Sequence, residues 1–300
     1  GGISAVIHNA SELPGYLSMT LSYDVNTRKA APYSALTIVS TAAWGLGYFG
    51  MPHILLRFMA IEDEKKLKLS RRVATIWVVI SLFVAVFIGV IGYTMSKVGA
   101  LEMLTGSNSE TIIVKISALL SQHGVIFALL AGVILAGILA STMSTSDSQL
   151  LAASSAVSSD ILGAFRKDSS NKNGSMAAAR ITLLVISVVA AFIARNPDSS
   201  VFAIVSFAWA GFGAAFGPVV LFSLFWKRTS KWGALAGMVC GGSMVFIWKY
   251  LIRPLGGIWN IYELLPAFLI ACAAIVIVSL LTPKPSKEIE EEFDRVAQMK

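Results

Sequence analysis

Seven long apolar stretches constrain this chain more than any motif in it. They run over about Tyr33–Met59, Val73–Ser96, Val125–Leu150, Ala178–Ala194, Val201–Trp226, Trp232–Leu251 and Ile261–Leu281. Roughly 20 apolar residues carry an α-helix across a hydrocarbon core of about 30 Å. Inside lipid only helices and closed barrels satisfy every backbone polar group. With 56% hydrophobic and 14% charged residues and a mean hydropathy of +0.73, the composition excludes an ordinary soluble domain. The expectation is an all-α, polytopic membrane protein with seven transmembrane spans. Residues 1–32 read as an external loop, 33–282 as the transmembrane helical domain and 283–300 as a cytoplasmic tail.

A net charge of +7 would suggest nucleic acid in a soluble protein, so its placement matters. Basic residues crowd after the first span (Arg57, Lys65, Lys66, Lys68, Arg71, Arg72), the third (Arg166, Lys167, Lys172, Arg180) and the fifth (Lys227, Arg228, Lys231). Lys284, Lys287, Arg295 and Lys300 add to them in the tail. The opposite side carries only Arg28, Lys29, Lys97, Lys115, Arg195, Lys249 and Arg253. The positive-inside rule puts the richer side in the cytoplasm, hence the N-terminus outside and the C-terminus inside. The partner this implies is a lipid bilayer and not nucleic acid. Cys240 and Cys272 both fall inside apolar spans, so they suggest no disulfide framework. The chain opens on Gly1-Gly2-Ile3, without Met or a signal peptide, as a piece of a longer chain would.

The first span is unusual. Its middle, Trp44-Gly45-Leu46-Gly47-Tyr48-Phe49-Gly50-Met51-Pro52-His53, holds three glycines and a proline. Glycine weakens a helix, and proline removes a donor and clashes with the carbonyl four residues back. Backbone freed in this way survives in lipid only where protein or a water-filled cavity satisfies it. A helix broken at depth, with Trp44, Tyr48 and Pro52 each one helical turn from the next, is a candidate binding site. A packing face is the other reading, because Gly and Pro are common in membrane helices.

The third span turns from apolar to hydroxyl-rich at Ser141-Thr142-Met143-Ser144-Thr145-Ser146-Asp147-Ser148. A hard cation such as Na⁺ prefers oxygen ligands, and small hydroxyls with carbonyls offer these without excess fixed charge. Ser144 and Thr145 are the candidate side-chain ligands, with the Ser141 carbonyl one turn earlier. Alternatively, these hydroxyls bond back to their own helix. Asp147 is functional if it lies at membrane depth and costs little at a cytoplasmic mouth.

Elsewhere, Ser107-Asn108-Ser109-Glu110 has capping-box spacing ahead of an amphipathic helix that begins near Ile112. Ala208 to Pro218, rich in glycine and aromatics, reads as a close-packing face that could also close over a ligand. No phosphate-cradling loop, Cys/His metal spacing or nucleophile–base pair occurs, which argues against an enzyme.

These stretches together carry a resemblance. The run from Trp44 to Ala60, Met143-Ser144-Thr145 with Gln149-Leu150-Leu151, Ala208 to Ser223, and Gly233 to Met238 resemble the sodium:solute symporter family, closely its bacterial sodium/proline branch. The resemblance runs from about residue 35 to residue 281. It implies the second inverted repeat of a LeuT-like fold plus two extra C-terminal helices, with the N-terminal half of the same carrier missing. It also implies Trp44, Tyr48 and Pro52 as substrate-binding residues, and Ser144, Thr145 and the Ser141 carbonyl as ligands for Na⁺, the coupling ion. Met51 stands where some members have Gln, and Ser146-Asp147-Ser148 replaces Leu-Ser-Cys of others. The activity implied is sodium-coupled L-proline uptake at the bacterial plasma membrane, by alternating access. The alternatives are a symporter for another small solute and, from another class, a seven-span receptor. A receptor shares the topology but needs neither the broken span nor the hydroxyls. Within the transporter class, Asp147 or His53 would serve a proton-coupled rival.

Overall fold

A computed structural model describes residues 2–24, 27–63, 65–161, 172–196 and 200–298. Of the residues named above, Gly1, Arg166, Lys167 and Lys300 lie outside the described residues. The chain divides into two compact units, one of residues 1–13 and 60–201, the other of 14–59 and 202–300.

The first unit begins with a short helix, α1 (Gly2–Ser11), which packs against α4 (Lys66–Lys97). Lys97 joins them, paired with Glu12 and donating to Asn9 Oδ1 at 3.0 Å. A 3-10 turn (Gly106–Thr111) then leads into α5 (Ile112–Ser121), followed by α6 (Val125–Ser155) and α7 (Lys172–Ile193). A side chain at Gly92 of α4 would collide with Ile112, so glycine there lets α5 approach.

The expected capping box does not form. The Gly106–Thr111 turn and α5 after it both start without a side-chain cap. Glu110 instead accepts from Ser200 Oγ at 2.6 Å and from the Val201 N–H at 3.0 Å. The carboxylate finds its donors at a more distant helix start, competition that local spacing does not register.

The second unit opens with an antiparallel hairpin, β1 (Leu21–Asp24) on β2 (Lys29–Pro32). Next comes the first apolar span in pieces: α2 (Ala35–Ala42), a 3-10 segment (Ala43–Gly50) and α3 (Pro52–Met59). After these come α8 (Val201–Phe225), α9 (Lys231–Ile247), α10 (Leu264–Leu281) and a tail helix, α11 (Lys287–Gln298). The core is made by Ala210 and Ala214 of α8, Val245 of α9, and Leu264, Ala267 and Phe268 of α10. Small residues set the spacing: a side chain at Gly237 would meet Ile275, and one at Gly241 the Ala214 carbonyl.

Charge is handled at both ends of this bundle. Glu263, with its side chain 1% exposed, accepts from Arg253 Nη1 at 2.8 Å and lies 3.8 Å from Lys249 Nζ. A buried carboxylate is tolerable only with such partners. At the other end, Ser230 caps α9 by accepting from the Gly233 N–H at 3.0 Å, while its own N–H donates to Ser279 Oγ at 3.0 Å. Lys227 pairs with Asp294 of α11 at 2.6 Å, a bond that holds its ammonium above the ordinary pKa.

Among the described residues six helices are long and apolar enough to cross a membrane: Lys66–Lys97, Val125–Ser158, Met176–Ile193, Val201–Phe225, Lys231–Leu255 and Leu264–Leu281. Their apolar side chains face outward, with Ile76, Trp77, Val79 and Phe83 all more than three-fifths exposed. A surface of that kind is stable against lipid and not against water. The protein is a multi-pass, mostly helical membrane protein. The seventh expected span, the first in the chain, is absent from the six because no piece of it is long enough. It is broken where the glycines and proline fall.

Candidate functional site

The break is built from local rules. Ser34, extended at φ −65° and ψ 155°, caps α2 by accepting from the Thr37 N–H at 3.2 Å. At Ala43 the chain tightens into eight residues of 3-10 helix, longer than the three or four such a run usually reaches. Met51 then swings to φ −82° and ψ 111°, the extended conformation forced on a residue before proline. Pro52 starts α3, where its missing N–H costs nothing, and the Met51 carbonyl accepts from Ile54 and Leu55, both at 3.0 Å.

This winding changes which residues share a face. The spacing of four between Trp44 and Tyr48 suggests stacking one above the other, as in an α-helix. A 3-10 helix has three residues per turn, so Trp44 aligns with Gly47 and Gly50, and Tyr48 points about 120° away. Ala43, Gly47 and Gly50 are buried, whereas Gly45, Tyr48 and Phe49 are exposed.

The buried row packs backbone to backbone on α8. A side chain at Gly50 would come within 2.8 Å of Gly213 Cα and 2.9 Å of the Gly217 N, and one at Gly213 within 2.7 Å of Gly47 Cα. The packing reading of the glycines therefore holds, with Trp44 in line with them and Tyr48 and Phe49 off that row. Trp44 stacks on Trp209 at 5.5 Å between centroids, on Phe202 at 5.5 Å and on Tyr262 at 6.0 Å. Tyr48 meets Trp209 edge-on at 4.8 Å. Trp209 Nε1 donates to the Trp44 carbonyl at 3.0 Å, and Tyr262 Oη donates to the Ser206 carbonyl at 2.6 Å. Trp44 and Tyr48 are thus brought together through Trp209. Pro52, half-buried, ends the segment.

The hydroxyl residues lie in the other unit, on α6, which runs unbroken through them. Ser141 Oγ and Thr142 Oγ1 both donate to the Ile138 carbonyl, at 2.9 and 3.0 Å. Thr145 Oγ1 donates to the Ser141 carbonyl at 3.2 Å, and Ser148 Oγ to the Ser144 and Thr145 carbonyls at 3.1 and 2.9 Å. Back-bonding is therefore real, yet a hydroxyl that donates its proton keeps lone pairs for a cation. Ser144 Oγ makes no hydrogen bond among the described residues, and hydroxyl and carbonyl oxygens are of the kind that suits a hard cation. Asp147, exposed and outside any ion pair among the described residues, is 22 residues into α6. That is about 33 Å along the axis from Val125.

Sequence reasoning does not single out Phe202, Tyr262 or Glu263, and takes Trp209 for packing. Glu263 carries a signal, an acid at the mouth of an apolar span with Lys249 and Arg253 on the same side. Phe202 and Tyr262 carry none, since their role is set by neighbours distant in sequence.

The model of the sodium:solute symporter family matches residues 4–241. A sodium/proline symporter of Haemophilus influenzae is 41% identical over 262 residues, 87% of this chain and 51% of that protein. One from Salmonella typhimurium is 40% identical over 259 residues, covering 86% and 50%. An osmoregulated proline transporter of Bacillus subtilis is 39% identical over 254 residues, covering 85% and 50%. The chain thus spans about half the length of the curated relatives it matches. No solved structure matches it. These relatives are carriers and not enzymes, and the family match covers the broken span and the hydroxyl-rich helix alike: the chain belongs to the sodium:solute symporter family.

Proposed function

We propose that this chain is the C-terminal part of a carrier that couples inward Na⁺ flow to uptake of L-proline across the bacterial plasma membrane. The observation that carries the reading is the eight-residue 3-10 run inside an apolar span, lined by Trp44 and Tyr48 and closed by Pro52. Irregular backbone at membrane depth is the usual setting of a substrate site in inverted-repeat transporters. In this reading Trp44 and Tyr48 offer aromatic faces to a small apolar ring, while Pro52 keeps the segment from rewinding. Ser144, Thr145 and the Ser141 carbonyl hold Na⁺. The fold is LeuT-like, with the broken span opening the second repeat and α9 and α10 added after it. Three oxygens are fewer than the ion's water shell, so the N-terminal half supplies the remainder. The seven spans run from an external N-terminus to a cytoplasmic C-terminus, in keeping with the basic clusters.

Mechanistically, Na⁺ binding stabilises the outward-open state with the proline pocket formed, and rocking of one bundle against the other releases both inside. The test is uptake of labelled proline by the full-length carrier in membrane vesicles. Accumulation is expected with an inward Na⁺ gradient and is expected to vanish when K⁺ or a pH gradient replaces it. Equal uptake driven by the pH gradient would overturn sodium coupling, and binding without flux would point to a receptor.

A further inference from the structure

We infer that Trp209, on α8, is a positioning residue that fixes the shape of the broken segment and thereby sets proline affinity. The inference rests on the proposed pocket at Trp44, Tyr48 and Pro52. The indole of Trp209 makes three kinds of contact with that segment. Its Nε1–H donates at 3.0 Å to the carbonyl of Trp44, at the start of the 3-10 run. Its face stacks on Trp44 at 15° between ring planes, and it meets Tyr48 at 85°. Its edge fills the space above Gly47, where any added side-chain carbon would run into Nε1, Cδ1 and Cε2.

These contacts answer a physical need. A 3-10 helix has poorer hydrogen-bond geometry than an α-helix, and in an apolar medium a weakened carbonyl has no water to turn to. The indole N–H is a donor that must itself find an acceptor when buried. Each group satisfies the other, across 165 residues of sequence. Gly47 is the complement on the segment side, because only a residue without Cβ leaves room for the indole. Phe202 and Tyr262 also stack on Trp44, but Trp209 is the side chain that contacts Trp44, Gly47 and Tyr48 alike, so it ties their orientations together. Trp209 acts on proline through these two residues and not by touching it.

The variants that separate this from a plain packing role are Trp209→Phe, which keeps a ring and removes the N–H, and Gly47→Ala, which displaces the indole. Both are made in the full-length carrier with Cys240 and Cys272 replaced by Ala. A reporter thiol is introduced by Gly45→Cys, at a position where an added side chain meets nothing within 4 Å. Each variant is expected to raise the KM for proline about fivefold, the loss of roughly one net hydrogen bond. The kcat and the half-saturating Na⁺ concentration should stay within about twofold, and maleimide should label the reporter thiol several times faster. Labelling at the parental rate in both variants would overturn the inference, as would faster labelling with an unchanged KM. If one variant fails to reach the membrane, the other decides. Trp44→Ala and Tyr48→Ala run alongside: if these raise KM and the Trp209 and Gly47 variants do not, the pocket stands and the positioning role falls. If none of the four changes KM, the pocket itself is wrong and this role falls with it.

Discussion

Replacing Ser144 or Thr145 by Ala in the full-length carrier is expected to raise the Na⁺ concentration for half-maximal uptake at least tenfold. In the proposed site the two residues give hydroxyl oxygens to the ion beside the Ser141 carbonyl. An interaction with a charged group contributes about 1.5–3 kcal/mol, or roughly a factor of 10 to 150 in affinity. Neither substitution leaves a cavity of consequence, because both side chains are exposed and α6 continues through them without a break. Thr145→Ala also frees the Ser141 carbonyl from its 3.2 Å bond, leaving that oxygen available. Ser144→Ala frees nothing and should have the larger effect. Ser141→Ala, which keeps the carbonyl, should leave sodium dependence close to normal. Unchanged half-saturation in both the Ser144 and Thr145 variants would take the ion off this helix.

On the substrate side, Trp44→Ala is expected to raise the KM for proline tenfold or more. The substitution removes a ring stacked on Trp209, Phe202 and Tyr262, and with it one wall of the proposed pocket. A direct aromatic contact with the substrate contributes about 0.5–1.5 kcal/mol beyond the area it buries, and its loss with the rest of that wall reaches the roughly 1.4 kcal/mol of a tenfold change. Tyr48 is 51% exposed. Tyr48→Phe tests its hydroxyl alone and should cost about 1 kcal/mol, while Tyr48→Ala removes ring and hydroxyl together. Pro52→Ala acts differently. It lifts the restriction that holds Met51 extended and lets α3 grow toward Gly50, so it should lower both proline affinity and kcat. Proline KM values within twofold of the parent for all three alanine variants would place the pocket elsewhere.

How far the residues alone carry this account differs from element to element. The apolar spans are readable because lipid imposes one rule on every one of them. The break at Met51 is readable because proline restricts the residue before it wherever it occurs. The 3-10 winding is not, since a glycine-rich run breaks the α pattern without saying what replaces it. That winding moves Tyr48 off the face of Trp44, and only the indole of Trp209 brings the two back together. Glu110 shows the same limit: its spacing to Ser107 suits a capping box, but Ser200 and Val201 offer better donors. On α6 the hydroxyl pattern is plain in the sequence. What it does not show is that Ser141, Thr142, Thr145 and Ser148 all bond back to their own helix.

The central claim is that the broken segment and the hydroxyl-rich helix serve one coupled binding event. Linkage makes this measurable without transport, because a Na⁺ ion that stabilises the proline-competent state must raise proline affinity, and proline must raise that for Na⁺ by the same factor. The measurement is equilibrium binding of labelled proline to the purified full-length carrier, titrated with NaCl at constant ionic strength. The Kd for proline is expected to fall at least tenfold between K⁺ alone and saturating Na⁺, and the fall should largely disappear in Ser144→Ala. A proline Kd that is the same in K⁺ and in Na⁺ would contradict the account.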